Sequence, residues 1–342
     1  DRPVRSSSRN FSAVPGFLGI HWPTATGPFT PPSPPATLPI TPEKMNVLAR
    51  PLVLASKLEA PRTILVTGST DGIGRETALQ LARNPAHAMI VHGRSQERTN
   101  AAVDMIRKES GNPKVEGVVA DFGDLSDVRE MAAELCDRYE SINSIVLNAG
   151  RLMPSREVSK DGLEMTWAVN HYAHFLLTGL LMDKVIASGT ESLQSRIVAV
   201  SSMCHSWEEM SWDDLNCERR DFSTYDIYSQ TKLANVLFTL ELARRLRAAG
   251  VPVASNSIEP GVVETKLLRV GGYSGGPVSV GARPSVYLAA DPDLEGVTGK
   301  YYSAGCEEET PDRKARDEAS QARMWQISEE VCGLTFMPEH AR

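Results

Sequence analysis

Cysteine is scarce in this chain of 342 residues. The five present, Cys136, Cys204, Cys217, Cys306 and Cys332, are scattered, odd in number and free of C-x-x-C spacing. That argues against a disulfide scaffold or a zinc site and for free thiols in a reducing compartment. Long apolar runs are missing too. No uninterrupted stretch reaches the roughly 18 residues of a membrane-crossing helix, so no transmembrane span is expected. Positive charge is in deficit, with 36 Lys and Arg against 43 Asp and Glu and a net charge of −7. Nucleic acid and anionic membrane are therefore poor candidates for the main partner. Complete metal-ligand sets are also lacking. His171 and His174 stand three apart on an expected helix, but no nearby acid or thiol joins them, so packing or hydrogen bonding is their expected role and no metal is expected.

What is present is ordinary for a globular protein, 41% hydrophobic and 23% charged, with ample length for a real core. Residues 1–60 differ from the rest. Eleven of the 22 prolines fall there, including Pro31-Pro32 and Pro34-Pro35. Proline at that density prevents a helix or a sheet ladder, so a disordered or loose polyproline extension is expected. Few acids, several serines and scattered arginines give it the look of an organelle-targeting segment. It reads equally as a dispensable extension, with Met45 as an alternative start. The expected location is cytoplasmic, or a plastid or mitochondrion if the tract is a targeting peptide.

From Pro61 onward strand-like and helix-like runs alternate. Strands are expected at 63–66, 88–91, 115–120, 142–147, 196–200 and 251–258. Helices are expected at 76–83, 95–110, 127–139, 163–182 and 228–249. This alternation predicts one α/β domain over 61–337, a doubly wound parallel sheet. Ligands of such sheets lie at the carboxyl ends of the strands, where the motifs below fall.

The first strand runs into Thr67-Gly68-Ser69-Thr70-Asp71-Gly72-Ile73-Gly74. Strand, glycine-rich turn and helix together make the phosphate cradle of a dinucleotide-binding unit, with free helix-start amides facing the phosphates. Gly68, Ser69, Asp71, Gly72, Ile73 and Gly74 are the candidate contacts. The spacing is G-x-x-x-G-x-G rather than G-x-G-x-x-G, so a ligand-free turn or another nucleotide class stays open on this motif alone.

About 20 residues past the last glycine, an acid marks NAD by bonding the adenine ribose hydroxyls. Arg94 stands there instead, and no Asp or Glu occurs between Arg83 and Gln96. A guanidinium suits the 2′-phosphate of NADP(H), which an acid would repel; a solvated surface arginine is the alternative. Asp121 and Phe122, after the third strand, are expected to meet the adenine. Asn148, Ala149 and Gly150 end the fourth strand with small residues where the cofactor passes.

Tyr228 and Lys232 are four apart and share one face of a helix. A phenol is a poor acid–base group at neutral pH, its reference pKa being about 10; a fixed cation nearby favours the phenolate. Ser201 and Ser202 sit at the carboxyl end of the strand at 196–200, where a hydroxyl can bond a carbonyl or alcohol oxygen as charge develops on it. Asn170 is a polar amide in an apolar helical stretch, placed either to tie helix to strand or to hold a water beside Lys232.

These motifs, in this order, resemble the short-chain dehydrogenase/reductase family over roughly residues 62–334, with Pro260-Gly261 and Thr265 completing the set. The stretches Val169 to Thr178 and Lys232-Leu233-Ala234-Asn235 are further similar to its retinol-dehydrogenase-like branch. Leu147 departs from that branch, which often has a second Asn there. The resemblance implies a Rossmann fold and an NADP(H)-dependent oxidoreductase. Tyr228 would exchange a proton with the substrate oxygen as hydride passes between substrate carbon and nicotinamide. Ser202, the family's catalytic hydroxyl, would hold that oxygen; Lys232 would bond the nicotinamide ribose and depress the Tyr228 pKa; Asn170 would support a water relay. Pro260, Gly261 and Thr265 would border the nicotinamide and its phosphate. Met203 to Ile227, with Trp207, Trp212 and Phe222, and a glycine-rich lid over 266–281 are expected to wall a site for a bulky, apolar carbonyl or alcohol. A homo-oligomer stays open. Two other readings stand beside this one: a non-catalytic NADP(H)-sensing protein, and a sugar-nucleotide epimerase or dehydratase on the same fold.

A chain beginning at Leu58 should melt within a few degrees of the full chain and keep its cofactor binding. Loss of soluble protein or of binding on this truncation would refute the expected boundary.

Overall fold

The computed structural model describes residues 60–270 and 274–336. The expected extension lies outside the described residues up to position 59. Strand β1 (Thr63–Val66) leads into helix α1 (Gly72–Ala82), followed by β2 (Ala88–Gly93), α2 (Gln96–Ser110), β3 (Val115–Val119), α3 (Leu125–Arg138) and β4 (Ser144–Leu147). A turn at Met165–Trp167 and a π-helical segment at Ala168–Tyr172 precede α4 (Ala173–Ser188). Then come β5 (Ser195–Val200), α5 (Thr224–Ala248), β6 (Val253–Ile258), α6 (Lys266–Val270), a single turn at Val278–Gly281, and α7 (Arg283–Ala290). Two-residue strands β7 (Tyr301–Tyr302) and β8 (Glu308–Glu309) and helix α8 (Glu318–Cys332) close the domain.

The sheet order is β3-β2-β1-β4-β5-β6-β7-β8, parallel except for the antiparallel β7–β8 pair. The chain is therefore the doubly wound α/β fold that its alternation implies. Successive strand residues point to opposite faces, and the strands are apolar on both. Leu65, Ile90, Ile145, Leu147, Ile197 and Ala199 enter one layer with residues of α3, α4, α5 and α8. Ile64, Val66, Met89, Val91, Val146, Val198 and Val200 enter the other with α1, α2 and α7. Each such side chain contributes about 1.5–3 kcal/mol by leaving water, so the central strands are the most strongly held.

Several boundaries differ from the sequence expectation. α1 starts at Gly72, inside the glycine turn, with Asp71 as its cap. α5 starts at Thr224, capped by Ser223, so Tyr228 lies one turn inside the helix. β6 starts at Val253 rather than Val251, because Pro252 has no N–H to give a ladder. Helices α7 and α8 went unanticipated. α8 is anchored by Trp325, whose ring stands 4.6 Å from Phe336, 5.2 Å from Phe175 and 6.0 Å from Phe238, with the Arg245 guanidinium 4.3 Å above it. Among the described residues no helix is long and apolar enough to cross a membrane.

Candidate active site

The strand order reverses direction between β1 and β4, where an open α/β sheet forms its binding crevice. Val66 pairs with Val146 there, and Thr67 ties the two strand ends together. Its Oγ1 accepts the amides of Asn148 at 2.8 Å and Ala149 at 2.9 Å. Its one hydrogen has two acceptors within reach, His174 Nε2 at 2.9 Å and Val146 O at 3.3 Å. His174 Nδ1 faces the carbonyl of Asn170 at 3.2 Å and so carries that ring's proton, which leaves Nε2 to accept the shorter bond. Asn148 Nδ2 bonds back to the carbonyls of Thr67 at 2.8 Å and Gly68 at 3.3 Å. Gly68 has φ +62°, and a Cβ there would come within 2.7 Å of Ala149 Cα. One on Gly74 would come within 2.3 Å of Asn148 Nδ2 and 2.6 Å of Gly68 O. These glycines are required by the loop's own packing on the end of β4. The amide of Gly72 is capped by Asp71 at 2.8 Å; those of Ile73 and Gly74, in the first turn of α1, have no intrahelical partner. That donor set fits an anionic phosphate.

His92 completes this support, a role that sequence reasoning missed. Its Nδ1 accepts the Gly68 amide at 3.0 Å. Because that amide only donates, the proton sits on Nε2, which faces Ala120 O at 3.1 Å. Ser69 is fully buried, its hydroxyl donating to Val66 O at 2.6 Å and accepting from His92 N at 2.9 Å. Its side chain is thus spent inside the fold, not offered to a ligand. The Phe122 ring is likewise buried, stacked on His92 at 4.3 Å and edge-on to His174 at 5.4 Å. It belongs to the core rather than to an adenine surface. Asp121 closes its own turn by accepting the Gly123 amide at 2.9 Å.

Charge gathers at the start of α1. The Asp71 carboxylate meets Lys266 Nζ at 2.6 Å, Arg75 at 3.9 Å and Arg98 at 3.9 Å. Burial pushes its pKa up, but Lys266, the Gly72 amide and Arg75 together bring it below the usual carboxylate value. One anion here faces three cations, which leaves a positive excess. Arg94, just past β2, is exposed.

The chemical residues converge from three elements. Lys232 Nζ donates to Val200 O at 3.0 Å and stands 5.5 Å from the centre of the Tyr228 ring. Asn170 lies in the π-helical segment, a local widening common at functional sites. Its Oδ1 accepts Arg151 N at 2.7 Å, and its Nδ2 donates to Arg151 O at 3.0 Å and Thr231 Oγ1 at 3.1 Å. The amide therefore ties the segment to α5 and to the loop after Gly150. A Cβ on Gly150 would lie 3.5 Å from Asn170 Oδ1 and 3.8 Å from Lys232 Nζ, so these three share one corner. The serines divide their work. Ser201 is buried and donates to Lys232 O at 2.8 Å. Ser202 is partly exposed, and its Oγ accepts Cys204 N at 3.2 Å, which leaves its hydrogen to donate.

Burial pushes the Tyr228 phenol above its ordinary value, with Cys204 adding to the rise and a hydrogen bond from Ser202 opposing it. Burial lowers Lys232 to about 8. Lys232 was expected to draw the phenol down; among the protein's own groups burial is the larger effect, and the phenol stays protonated.

At the far side, Glu259 holds the Pro260-Gly261 turn. It accepts Gly261 N at 2.9 Å and Ala304 N at 3.2 Å. Thr265 Oγ1 accepts Leu268 N at 3.2 Å, and its Cγ2 lies 3.5 Å from where a Cβ on Gly72 would stand, so the base of the expected lid reaches the glycine loop. Within that lid, 271–273 lie outside the described residues. Of the expected wall aromatics, Trp207 is 41% exposed, as is Met203 beside Ser202, and Val262, next to the Pro260-Gly261 turn, is 54% exposed. Trp212 lies elsewhere, 4.7 Å beneath the Arg323 guanidinium, lining a cavity of about 400 Å³ with Leu233, Leu237 and Arg313. Phe222 packs on the core. Both are packed against the protein itself.

Residues 62–270 match the family model described as short chain dehydrogenase. Retinol dehydrogenase 13 of Homo sapiens is 39% identical over 296 residues, covering 82% of this chain and 87% of that protein. Polyprenol dehydrogenase of Mus musculus is 40% identical over 276 residues, covering 77% and 82%. A chloroplastic short-chain dehydrogenase of Brassica napus, TIC 32 B, is 34% identical over 281 residues, covering 78% and 87%. Among solved structures, an uncharacterized protein from Mycobacterium Paratuberculosis superposes with a TM-score of 0.68 at 32% identity, covering 82% of this chain and 96% of its own. A short chain dehydrogenase of Shigella flexneri 2A, complexed with NADP, shares the fold with a TM-score of 0.58 at 22% identity, covering 73% and 99%.

The buried histidines generate an acid limit. Burial holds His92 and His171 at about 4 and His174 at about 3, against about 6.5 in the unfolded chain. Below that value the unfolded chain takes up protons that the folded one refuses. Their stabilisation is thus complete above pH 6.5 and is lost as pH falls toward 4, by about 1.4 kcal/mol per pH unit for each histidine. Urea melts from pH 7 to pH 5 should show this decline; a flat profile would contradict the assigned neutral rings.

Proposed function

The chain belongs to the short chain dehydrogenase family of hydride-transferring oxidoreductases, and we propose that it is an NADP(H)-dependent enzyme acting on a bulky, apolar alcohol or carbonyl. The observation that carries the reading is the single corner holding Tyr228, Lys232, Ser202, Asn170 and Gly150 beside the glycine loop. The nicotinamide, when bound, supplies or accepts the hydride.

The residues divide the remaining work. In the reducing direction Tyr228, kept protonated by burial, gives its phenolic proton to the carbonyl oxygen. Ser202, its Oγ oriented by the Cys204 amide, donates its hydrogen to that same oxygen as charge grows there. Lys232 offers a buried ammonium for a ribose hydroxyl and favours the phenolate that is left after proton transfer. Asn170 fixes the π-helical segment against Arg151 and Thr231 and so holds the floor of the corner. The amides of Ile73 and Gly74 would hold the cofactor's phosphate oxygens, and Arg94 would hold the 2′-phosphate. Support for NADP(H) comes from Arg94 in an acid's place and from the positive excess around Asp71. Support for an apolar substrate comes from the exposed Met203 and Trp207 after Ser202 and the exposed Val262 after the Pro260-Gly261 turn.

Following NADPH consumption across a panel of aldehydes, ketones and quinones tests the reading. Turnover of long apolar carbonyls with NADPH preferred over NADH upholds it, and no turnover of any of them sinks it. Arg94→Ala should weaken NADPH binding by about 1.5–3 kcal/mol, the worth of a charge-assisted pair, and leave NADH unaffected. Equal loss for both cofactors would make Arg94 a plain surface residue.

A further inference from the structure

His205, three residues past Ser202, is 6% exposed in the short turn Met203–Ser206. Asp312 N, from the segment after β8, donates to its Nε2 at 3.1 Å. A backbone amide cannot accept, so Nε2 carries no proton and Nδ1 carries one. Nδ1 lies 2.8 Å from Ser202 O and donates to it; the His205 amide bonds that same carbonyl at 3.0 Å. Tyr301 of β7 packs against the ring, centroids 4.8 Å apart, with its hydroxyl 3.4 Å from Nδ1. Lys314 Nζ donates to Ser206 O at 2.8 Å, so the turn is held to the C-terminal segment at a second point.

We propose that His205 is a positioning residue that fixes the Ser202 peptide through Nδ1 and thereby aims the Ser202 hydroxyl. The Ser202 hydroxyl oxygen is oriented by the Cys204 amide two residues on. That amide can point at Oγ only while the intervening peptide planes are held. The Ser202 carbonyl is the handle, and His205 grips it with both its amide and its ring. Losing the ring bond leaves the carbonyl on the amide alone and lets the plane swing. A rigid imidazole anchored at Nε2 by Asp312 and flanked by Tyr301 is a better clamp than a flexible donor. Burial favours the singly protonated ring.

The consequence for rate rests on the oxidoreductase reading; the consequence for the turn does not. Two replacements separate the ring's two bonds. His205→Asn can put an N–H where Nδ1 stands and loses the Asp312 bond. His205→Gln can put an acceptor where Nε2 stands and loses the Ser202 bond. Three readouts are taken on the full chain: single-turnover hydride transfer from NADPH, NADPH affinity by titration, and iodoacetamide alkylation of Cys204 followed by peptide mass spectrometry. The Asn variant should stay close to the parent in all three. The Gln variant should keep NADPH affinity, lose about tenfold or more in hydride transfer through a misaimed hydroxyl, and expose the buried Cys204 to faster alkylation. Equal behaviour of the two variants, or the reverse order, overturns the proposal. If the parent transfers no hydride to any carbonyl, the oxidoreductase reading fails by itself. The alkylation order then still decides on His205: faster in Gln than in Asn upholds it, and no difference overturns it.

Discussion

One hydroxyl group holds the working end of the sheet together. Thr67 Oγ1 accepts two amides from the loop after β4 and gives its hydrogen to His174, whose Nδ1 faces the carbonyl of Asn170 at 3.2 Å. The glycine loop and the strand switch point thus meet at one atom, and the π-helical segment joins them through His174. The glycines follow from the same contact. Gly68 and Gly74 are pressed against Ala149 and Asn148 closely enough that any side chain would push the loops apart. His92 then locks the Gly68 amide from the other side. The cradle is thus shaped by the packing of the fold itself.

Burial dominates the electrostatics of the chemical corner. Removing Tyr228 and Lys232 from water raises the phenol and lowers the ammonium, so both drift toward their neutral forms. A corner of this kind suits carbonyl reduction, where a protonated phenol is the acid that is needed. Favouring the phenolate requires further positive charge, and an oxidised nicotinamide carries it. The same burial keeps the supporting histidines neutral and directional: each has one donor and one acceptor nitrogen, matched to a carbonyl and an amide or hydroxyl.

The parts of this architecture legible in the sequence are the local ones. The alternation of apolar strands and helices was readable because each strand is buried on both faces. The glycine turn and the Tyr228–Lys232 pair carry their spacing within one turn of chain. What was not legible depends on distant partners. Thr67, His92 and Glu259 gain their roles only from residues that the fold brings beside them, though a histidine inside the apolar run of β2 was a usable signal. Ser69, Phe122 and Trp212 sit near the right motifs, yet their side chains face Val66, His92 and Arg323. Sequence proximity gave the neighbourhood and not the direction. Helix α8 was missed because polar residues, Gln321 and Ser328, share its buried face with Met324, Trp325 and Cys332 and blur the apolar period.

In the proposed mechanism Tyr228 carries the proton while hydride moves at the same corner. Single-turnover transfer from NADPH carrying deuterium at both nicotinamide C4 positions, comparing the parent chain with Tyr228→Phe, tests this directly. The parent should place deuterium on the former carbonyl carbon. The phenylalanine variant should bind NADPH as the parent does and transfer slower by about 10²–10⁴, the range for a positioned acid. Transfer at near the parent rate in that variant would show Tyr228 to be structural and contradict the mechanism.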